Sequence, residues 1–258
     1  MDLQLKGKTA IVTGGSAGIG LAITKALVVE GVTVTVPGRS KEKLDKALEG
    51  IANVRGIVAD PGTAEGAKAL IEQVPDIDIL VNNLGIYEPK PFAEITDEDW
   101  LKIFEVNVLS GVRLSRHYFP KMLERKQGRV IFIASESAIM TPQEMIHYGT
   151  TKSSQLAIAR GLAELTKGTA VTVNTVLPGP TRSEAIVEFL EKMSTAKNPT
   201  PEQAEKEFFE KHRSSSLLQR LIEGEEIASL VAYVASPLSA ATNGAALRAE
   251  GGLLRSIA

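Results

Sequence analysis

Tyr148 and Lys152 stand four positions apart in the segment HYGTTKSSQLAIARGLAEL. On a helix this spacing puts both side chains on one face. A free phenol, with a pKa of about 10, exchanges protons poorly at neutral pH. An ammonium about 4 Å away, at an effective dielectric of roughly 20, would favour phenolate by ~4 kcal/mol. That is roughly three pKa units, enough to poise the phenol near neutrality. Many such pairs are plain surface pairs, so the setting must decide. Ser135 ends the apolar run 130–134, thirteen residues before Tyr148. Asn82-Asn83-Leu84-Gly85 ends an earlier run, and Asn107 interrupts a long helical stretch. A buried polar residue in mid-helix needs a partner and can bend the helix. Each asparagine alone fits a satisfied structural role; the constellation is more specific than its parts.

A second cluster lies near the N-terminus, where Thr13-Gly14-Gly15-Ser16-Ala17-Gly18-Ile19-Gly20 follows a short apolar run. Gly14 permits a tight turn, Gly18 lets backbone approach a pyrophosphate, and Gly20 allows close helix–strand packing. A helix opening near Ile19 would offer free N–H groups and a positive dipole end to phosphate oxygens. The spacing is GxxxGxG, so the signal rests on its place between a strand and an apolar helix. About twenty residues on, Pro37-Gly38-Arg39-Ser40 carries no acidic residue to accept from an adenosine ribose. Arg39 could instead bind a 2′-phosphate, worth roughly 1.5–3 kcal/mol. The corresponding preference for NADP over NAD is about 10- to 150-fold. Ala17 supplies no second basic group, and NAD stays possible.

Elements that could hold these residues recur along the chain. Runs 9–13, 32–36, 57–59, 77–81, 130–134, 171–176 and 245–248 read as strands. Helical periodicity falls at 19–30, 41–49, 64–73, 97–123, 147–165 and 225–235. Nearly continuous apolar strands alternating with helices predict a doubly wound, parallel α/β sheet covered on both faces. The carboxyl ends of such strands line the ligand crevice, which is where Ser135 and the 82–85 asparagines fall. The connection between 176 and 225 spans about fifty residues and carries apolar residues at helical spacing, such as Ile186, Phe189, Leu190, Phe208 and Phe209. It predicts two short amphipathic helices covering the crevice, the cover spanning about 181–222.

Composition excludes several classes. With 258 residues, 43% hydrophobic and 23% charged, the chain can form one domain over 1–258 with a full core. Opposing 29 Lys and Arg against 31 Asp and Glu leaves no basic field for nucleic acid. With no cysteine and three scattered histidines, neither a disulfide framework nor a metal site is expected. No signal-peptide core or membrane-length apolar run is seen, so a cytoplasmic protein without membrane partners is expected.

These pieces together make the chain resemble the short-chain dehydrogenase/reductase family over nearly its whole length. The matching motifs are TGGSAGIG at 13–20, NNLG at 82–85, Asn107 in FEVNV, Ser135, Tyr148-x-x-x-Lys152 and PGPT at 178–181. The resemblance implies a Rossmann-like, seven-stranded sheet and reversible hydride transfer between a nicotinamide cofactor and a carbonyl or secondary alcohol. By it, Tyr148 exchanges the proton, Ser135 holds the substrate oxygen, and Asn107 positions a water. Lys152 lowers the tyrosine pKa and, with Tyr148, touches the nicotinamide ribose. Ser16, Ala17 and Ile19 join the three turn glycines on the cofactor, with Arg39 and Ser40 at the ribose. Asp60 lies by the adenine, and Asn82, Asn83 and Gly85 flank the adenosine. Pro178, Gly179 and Thr181 meet the carboxamide. Three positions depart from the family pattern: Leu84 and Gly149, both usually alanine, and Glu250, usually aspartate.

Glu136, Met140, Met145, Ile146 and the cover at 183–216 are expected to line the substrate pocket. Most are apolar, and no second Arg and Lys cluster is evident, so a moderately hydrophobic carbonyl or alcohol is expected. The family also implies a homodimer or homotetramer through the helices at 97–123 and 147–165. Two rival readings remain: a nucleotide-sensing regulator without turnover, and an epimerase or dehydratase that uses hydride transiently.

Overall fold

The computed structural model describes residues 1–257. Strands are β1 (Thr9–Val12), β2 (Thr33–Gly38), β3 (Val54–Val58), β4 (Ile79–Asn82), β5 (Gln127–Ile133), β6 (Ala170–Pro178) and β7 (Ala246–Ala249). Helices are α1 (Gly18–Val29), α2 (Lys41–Leu48), α3 (Ala64–Gln73), α4 (Asp97–Phe104), α5 (Ser110–Glu124), α6 (Ile146–Glu164), α7 (Glu184–Met193), α8 (Pro201–Lys211) and α9 (Gly224–Ala235). The seven strands form one sheet in the order β3-β2-β1-β4-β5-β6-β7, every pair parallel. Strand order therefore reverses between β1 and β4, and a crevice opens above their carboxyl ends.

Helices on both faces explain the apolar strands. Val34 and Val36 of β2, with Ile131 of β5, pack against Ile23 and Leu27 of α1 and Ile227 and Val231 of α9. On the opposite face Ile11, Leu80 and Phe132 meet Leu114 and Tyr118 of α5. β3 begins earlier than its apolar signal because it is an edge strand: Val54, Arg55 and Gly56 pair with β2 while remaining largely accessible. Such pairing rests on backbone groups and leaves no hydrophobic pattern to read.

The long helix expected at 97–123 is interrupted. A capping box between Thr96 and Asp99 starts α4, and Glu105–Leu109 then forms a π turn before α5 resumes. π turns of this kind concentrate at functional sites, and this one contains Asn107. The cover forms the two expected helices. Thr200 caps α8 with Gln203, and Leu190, Phe208, Phe209 and Leu221 make a small core of their own. Among the described residues, no helix is long and apolar enough to cross a membrane.

Candidate active site

A cavity of about 1080 Å³ runs from the glycine turn, past the end of β5, to the cover. Thr13 ties the end of β4 to β1: its hydroxyl accepts from the Asn83 and Leu84 N–H groups at 2.9 Å each. The turn is built as its residue types require. Gly14 and Gly18 lie at φ +64° and +49°, and a Cβ on Gly20 would collide with the Gly14 carbonyl and the Asn83 amide. Ala17, at the N-cap of α1, has no side chain to cap that helix. The first N–H groups of α1 thus lack a side-chain acceptor and open onto the cavity, an arrangement suited to a pyrophosphate.

At the other end stands Tyr148. Lys152 Nζ lies 5.6 Å from its ring centroid, and the Tyr87 ring meets it edge-on at 6.2 Å. Ser135 caps a short turn by accepting from the Ser137 N–H at 3.1 Å, and its hydroxyl donates to the Glu136 carboxylate. Lys152 donates to the Ile133 carbonyl at 2.9 Å and reaches Gln155 Oε1 at 3.5 Å. Burial dominates the electrostatics. It pushes the Lys152 ammonium down to about 8, against the attraction of Glu136. It pushes the Tyr148 phenol up, with Glu136 adding to the rise and the hydrogen bond with Ser135 opposing it. The Glu136 carboxyl is also raised by burial, opposed chiefly by Ser135. In the chain alone, then, the expected lowering of the tyrosine pKa by Lys152 gives way to desolvation, and the phenol holds its proton at neutral pH.

Asn107 sits behind this pair. Its Oδ1 accepts from the Ile86 N–H at 2.8 Å, and its Nδ2 donates to the Ile86 carbonyl at 2.9 Å and Thr151 Oγ1 at 3.1 Å. Its own carbonyl accepts from Gln155 Nε2 at 2.6 Å. Gln155 therefore joins Asn107 to Lys152, a link no local motif announced; a polar side chain three positions beyond Lys152 was the only signal.

A family model described as short chain dehydrogenase matches residues 8–194. The chain belongs to the short chain dehydrogenase family. It is 50% identical over 263 residues to the uncharacterized oxidoreductase YvaG of Bacillus subtilis (strain 168), with both chains covered in full. The 3-oxoacyl-[acyl-carrier-protein] reductase FabG of Vibrio cholerae is 31% identical, covering 97% of this chain and 99% of its own. Among solved structures, L-sorbose reductase from Gluconobacter frateurii, complexed with NADPH and L-sorbose, superposes with a TM-score of 0.93. That reductase is 27% identical, and both chains are covered fully.

In this short chain dehydrogenase the expected cofactor residues divide. Gly14, Ser16, Ala17, Gly18, Ile19, Gly20, Asn83, Gly85, Pro178, Gly179 and Thr181 line the cavity with Ser135 and Tyr148. Asn82 is turned away, its amide donating to Ser115 Oγ at 3.3 Å. Asp60 accepts from the Gly62 N–H at 2.9 Å in a turn. Ser40 caps α2 by accepting from the Lys43 N–H at 3.3 Å, and Arg39 is exposed; neither is among the lining residues. Lys43 and Lys46 of α2 also line the cavity. Sequence spacing missed them because their helix swings back over the turn.

The substrate end carries the apolar cover residues expected, Ile186, Phe189, Met193 and Phe208, together with two cover arginines that were not. Glu136, Glu144 and Met145 line it, together with Arg182 and Arg213 from the cover, whereas Met140 and Ile146 are not among the lining residues. Arg182 pairs with Glu205 of α8 at 2.9 Å and with Glu223 at 2.8 Å. The departures from the family pattern have local causes. Gly149 lets α6 approach Thr141, whose Cγ2 would lie 2.6 Å from an added Cβ. Glu250 is buried, pairs with Arg248 at 2.8 Å and accepts from the Leu253 and Leu254 N–H groups, fixing the C-terminal turn. Leu84 lines the nucleotide side of the cavity.

Proposed function

We propose that the chain transfers hydride reversibly between NADP(H) and a carbonyl or secondary alcohol, with Tyr148 as general acid and base. The observation that carries this reading is one continuous cavity joining an uncapped glycine turn to a protonated, half-buried phenol beside Ser135. When bound, the reduced nicotinamide supplies the hydride. In reduction Tyr148 would give its proton to the substrate oxygen on which alkoxide charge develops as the carbonyl carbon accepts hydride. Ser135 hydrogen-bonds the same oxygen, so charge is stabilised as it forms. Lys152 holds positive charge beside the phenolate left behind, and Asn107 ties the Ile86 main chain to Thr151, which stands next to Lys152 on α6. Gly14, Gly18 and the uncapped N–H groups of α1 would hold the pyrophosphate.

The NADP preference rests on the exposed Arg39 just after β2 and on Lys43 and Lys46, which line the cavity, with no carboxylate in the Pro37-Gly38-Arg39-Ser40 turn to accept from a ribose. The NADPH complex of the similar L-sorbose reductase supports it. A homodimer or homotetramer remains part of the proposal, with Leu101 and Leu165 at 72% and 62% exposure as apolar contacts. Sedimentation velocity reads the assembly directly.

The test is NADPH oxidation with a ketone panel, in wild type and Tyr148→Phe. Loss of a general acid lowers turnover by about 10²–10⁴-fold, while NADPH binding should persist. Near-normal turnover in the variant would sink the assignment. Product formation without net NADPH oxidation would point to the epimerase reading instead.

A further inference from the structure

The cover places one cation in the substrate end of the cavity with its hydrogen bonding incomplete. Arg213 follows α8, and its guanidinium carbon lies 5.4 Å from the Phe208 ring centroid. Nη1 donates to the His212 carbonyl at 2.9 Å. Nη2 is 3.8 Å from Glu144 Oε1, too far for a hydrogen bond. Among the described residues, no acceptor meets the buried Nε. The side chain is only 12% exposed, so water does little to compensate.

A guanidinium presents its N–H groups as a planar fork that matches a carboxylate in two parallel hydrogen bonds. Arg213 lines the same cavity as Ser135 and Tyr148, and its buried Nε has no acceptor among the described residues, so a small turn of the side chain would present that fork to a ligand. At the reacting end stands Glu136, 5% exposed, whose carboxylate is held by the Ser135 and Ser137 hydroxyls. The Arg213 charge also acts on the Glu136 carboxyl, so a substrate carboxylate paired with Arg213 would sit in the same positive field that Glu136 feels. Glu144 neutralises Arg213 only loosely, and its side chain is 38% exposed, free to turn into solvent when an anion arrives.

We propose that the substrate is an oxo acid, or the matching hydroxy acid, whose carboxylate is bound by Arg213. This rests on the oxidoreductase reading above and adds a carboxylate to the moderately hydrophobic carbonyl or alcohol expected from sequence.

The test uses ketones that differ in charge at constant shape: 5-keto-D-gluconate against L-sorbose, and levulinate against its methyl ester. The first two share the ketone and the hydroxyl stereochemistry, one ending in a carboxylate and the other in an alcohol. Wild type should favour the acid of each pair. In Arg213→Ala, kcat/KM for the acids should fall about 10- to 150-fold, mainly through KM, the range expected for a charge-assisted pair. The neutral partners should change by less than about threefold, and Arg213→Lys should recover part of the loss. Unchanged NADPH binding and circular dichroism show that the variant folds. Equal use of acid and neutral ketone by wild type overturns the proposal, as does a uniform loss on both in the variant. If no ketone is reduced at all, the oxidoreductase reading fails separately. Calorimetric binding of the two acids to the NADP complex then decides, because Arg213-dependent binding supports the anchor and no binding overturns it.

Discussion

Gln155 Nε2 donates to the main-chain carbonyl of Asn107 at 2.6 Å, across the gap between α6 and the π turn. Its other amide atom lies 3.5 Å from Lys152 Nζ, and the residue is fully enclosed. The amide thus orients the lysine and gives a carbonyl inside the π turn a side-chain partner. Gln155→Leu preserves volume but removes both contacts. The variant should lose about 1–3 kcal/mol of stability from the weakened pairing of buried polar groups. Its kcat should also fall, by about tenfold, with a displaced alkaline limb in the pH–rate profile. An altered melting temperature with an unmoved pH profile would reduce Gln155 to a packing residue.

Lys152 links the site to pH-dependent stability. Burial lowers its pKa from 10.5 to about 8, so the unfolded chain binds more protons across that interval. Stability should therefore rise with pH from about 8, because folding then no longer buries an ammonium. The rise should stop near pH 10, where tyrosine in the unfolded chain, with its ordinary pKa of 10.0, ionises while the raised Tyr148 does not. Lys152→Met should flatten the curve between pH 8 and 10, read by urea unfolding at closely spaced pH values. An identical slope in the variant would show that another group titrates there.

Much of the site was legible because its signals are local. Helix α3 occupies the 64–73 span its periodicity predicts, with Thr63 capping it through the Gly66 N–H at 3.0 Å. The Tyr148–Lys152 spacing needs only one helix, and the turn glycines need only one strand–helix junction. What stayed hidden depends on approach between distant segments. Arg213 reaches the cavity only because α7 and α8 fold back over it, and Lys43 only because α2 returns beside the glycine turn. The protonation of Tyr148 was hidden for the same reason. A spacing of four reveals the neighbouring lysine charge, but not the burial of both groups or the nearby carboxylate of Glu136.

Cofactor choice should follow Arg39 and the lysines of α2. NADPH should bind at least about tenfold more tightly than NADH in a fluorescence titration. Arg39→Ala should remove most of that preference, and Lys43→Ala a smaller part, with NADH affinity unchanged in both. Because Arg39 and Lys43 are exposed, the preference should shrink as salt rises, the Debye length falling to about 3 Å at 1 M. Equal affinities in the wild type would show that these residues hold no 2′-phosphate.

Arg182 is the hinge pin of the cover. It stands just beyond the Pro178 end of β6 and holds Glu205 of α8 and Glu223 at the start of α9, while Glu205 also accepts the Leu221 N–H at 2.8 Å. The pairs are 14–45% exposed, so their screened contribution to stability is small, about 0.5–1 kcal/mol. Their effect on the substrate should be larger than that figure suggests. Without Arg182 the cover keeps its backbone bonds at Ile222 but loses the side-chain tie to α8, and Ile186, Phe189 and Phe208 should close less firmly on the cavity they line. Arg182→Gln should therefore leave the melting temperature within a few degrees of wild type and raise KM by about tenfold. Hydrogen exchange should quicken across α7 and α8 and stay unchanged in β1 and β4. A large stability loss with unchanged KM would place the ion pairs in the folding of the domain and not in the closing of its cover.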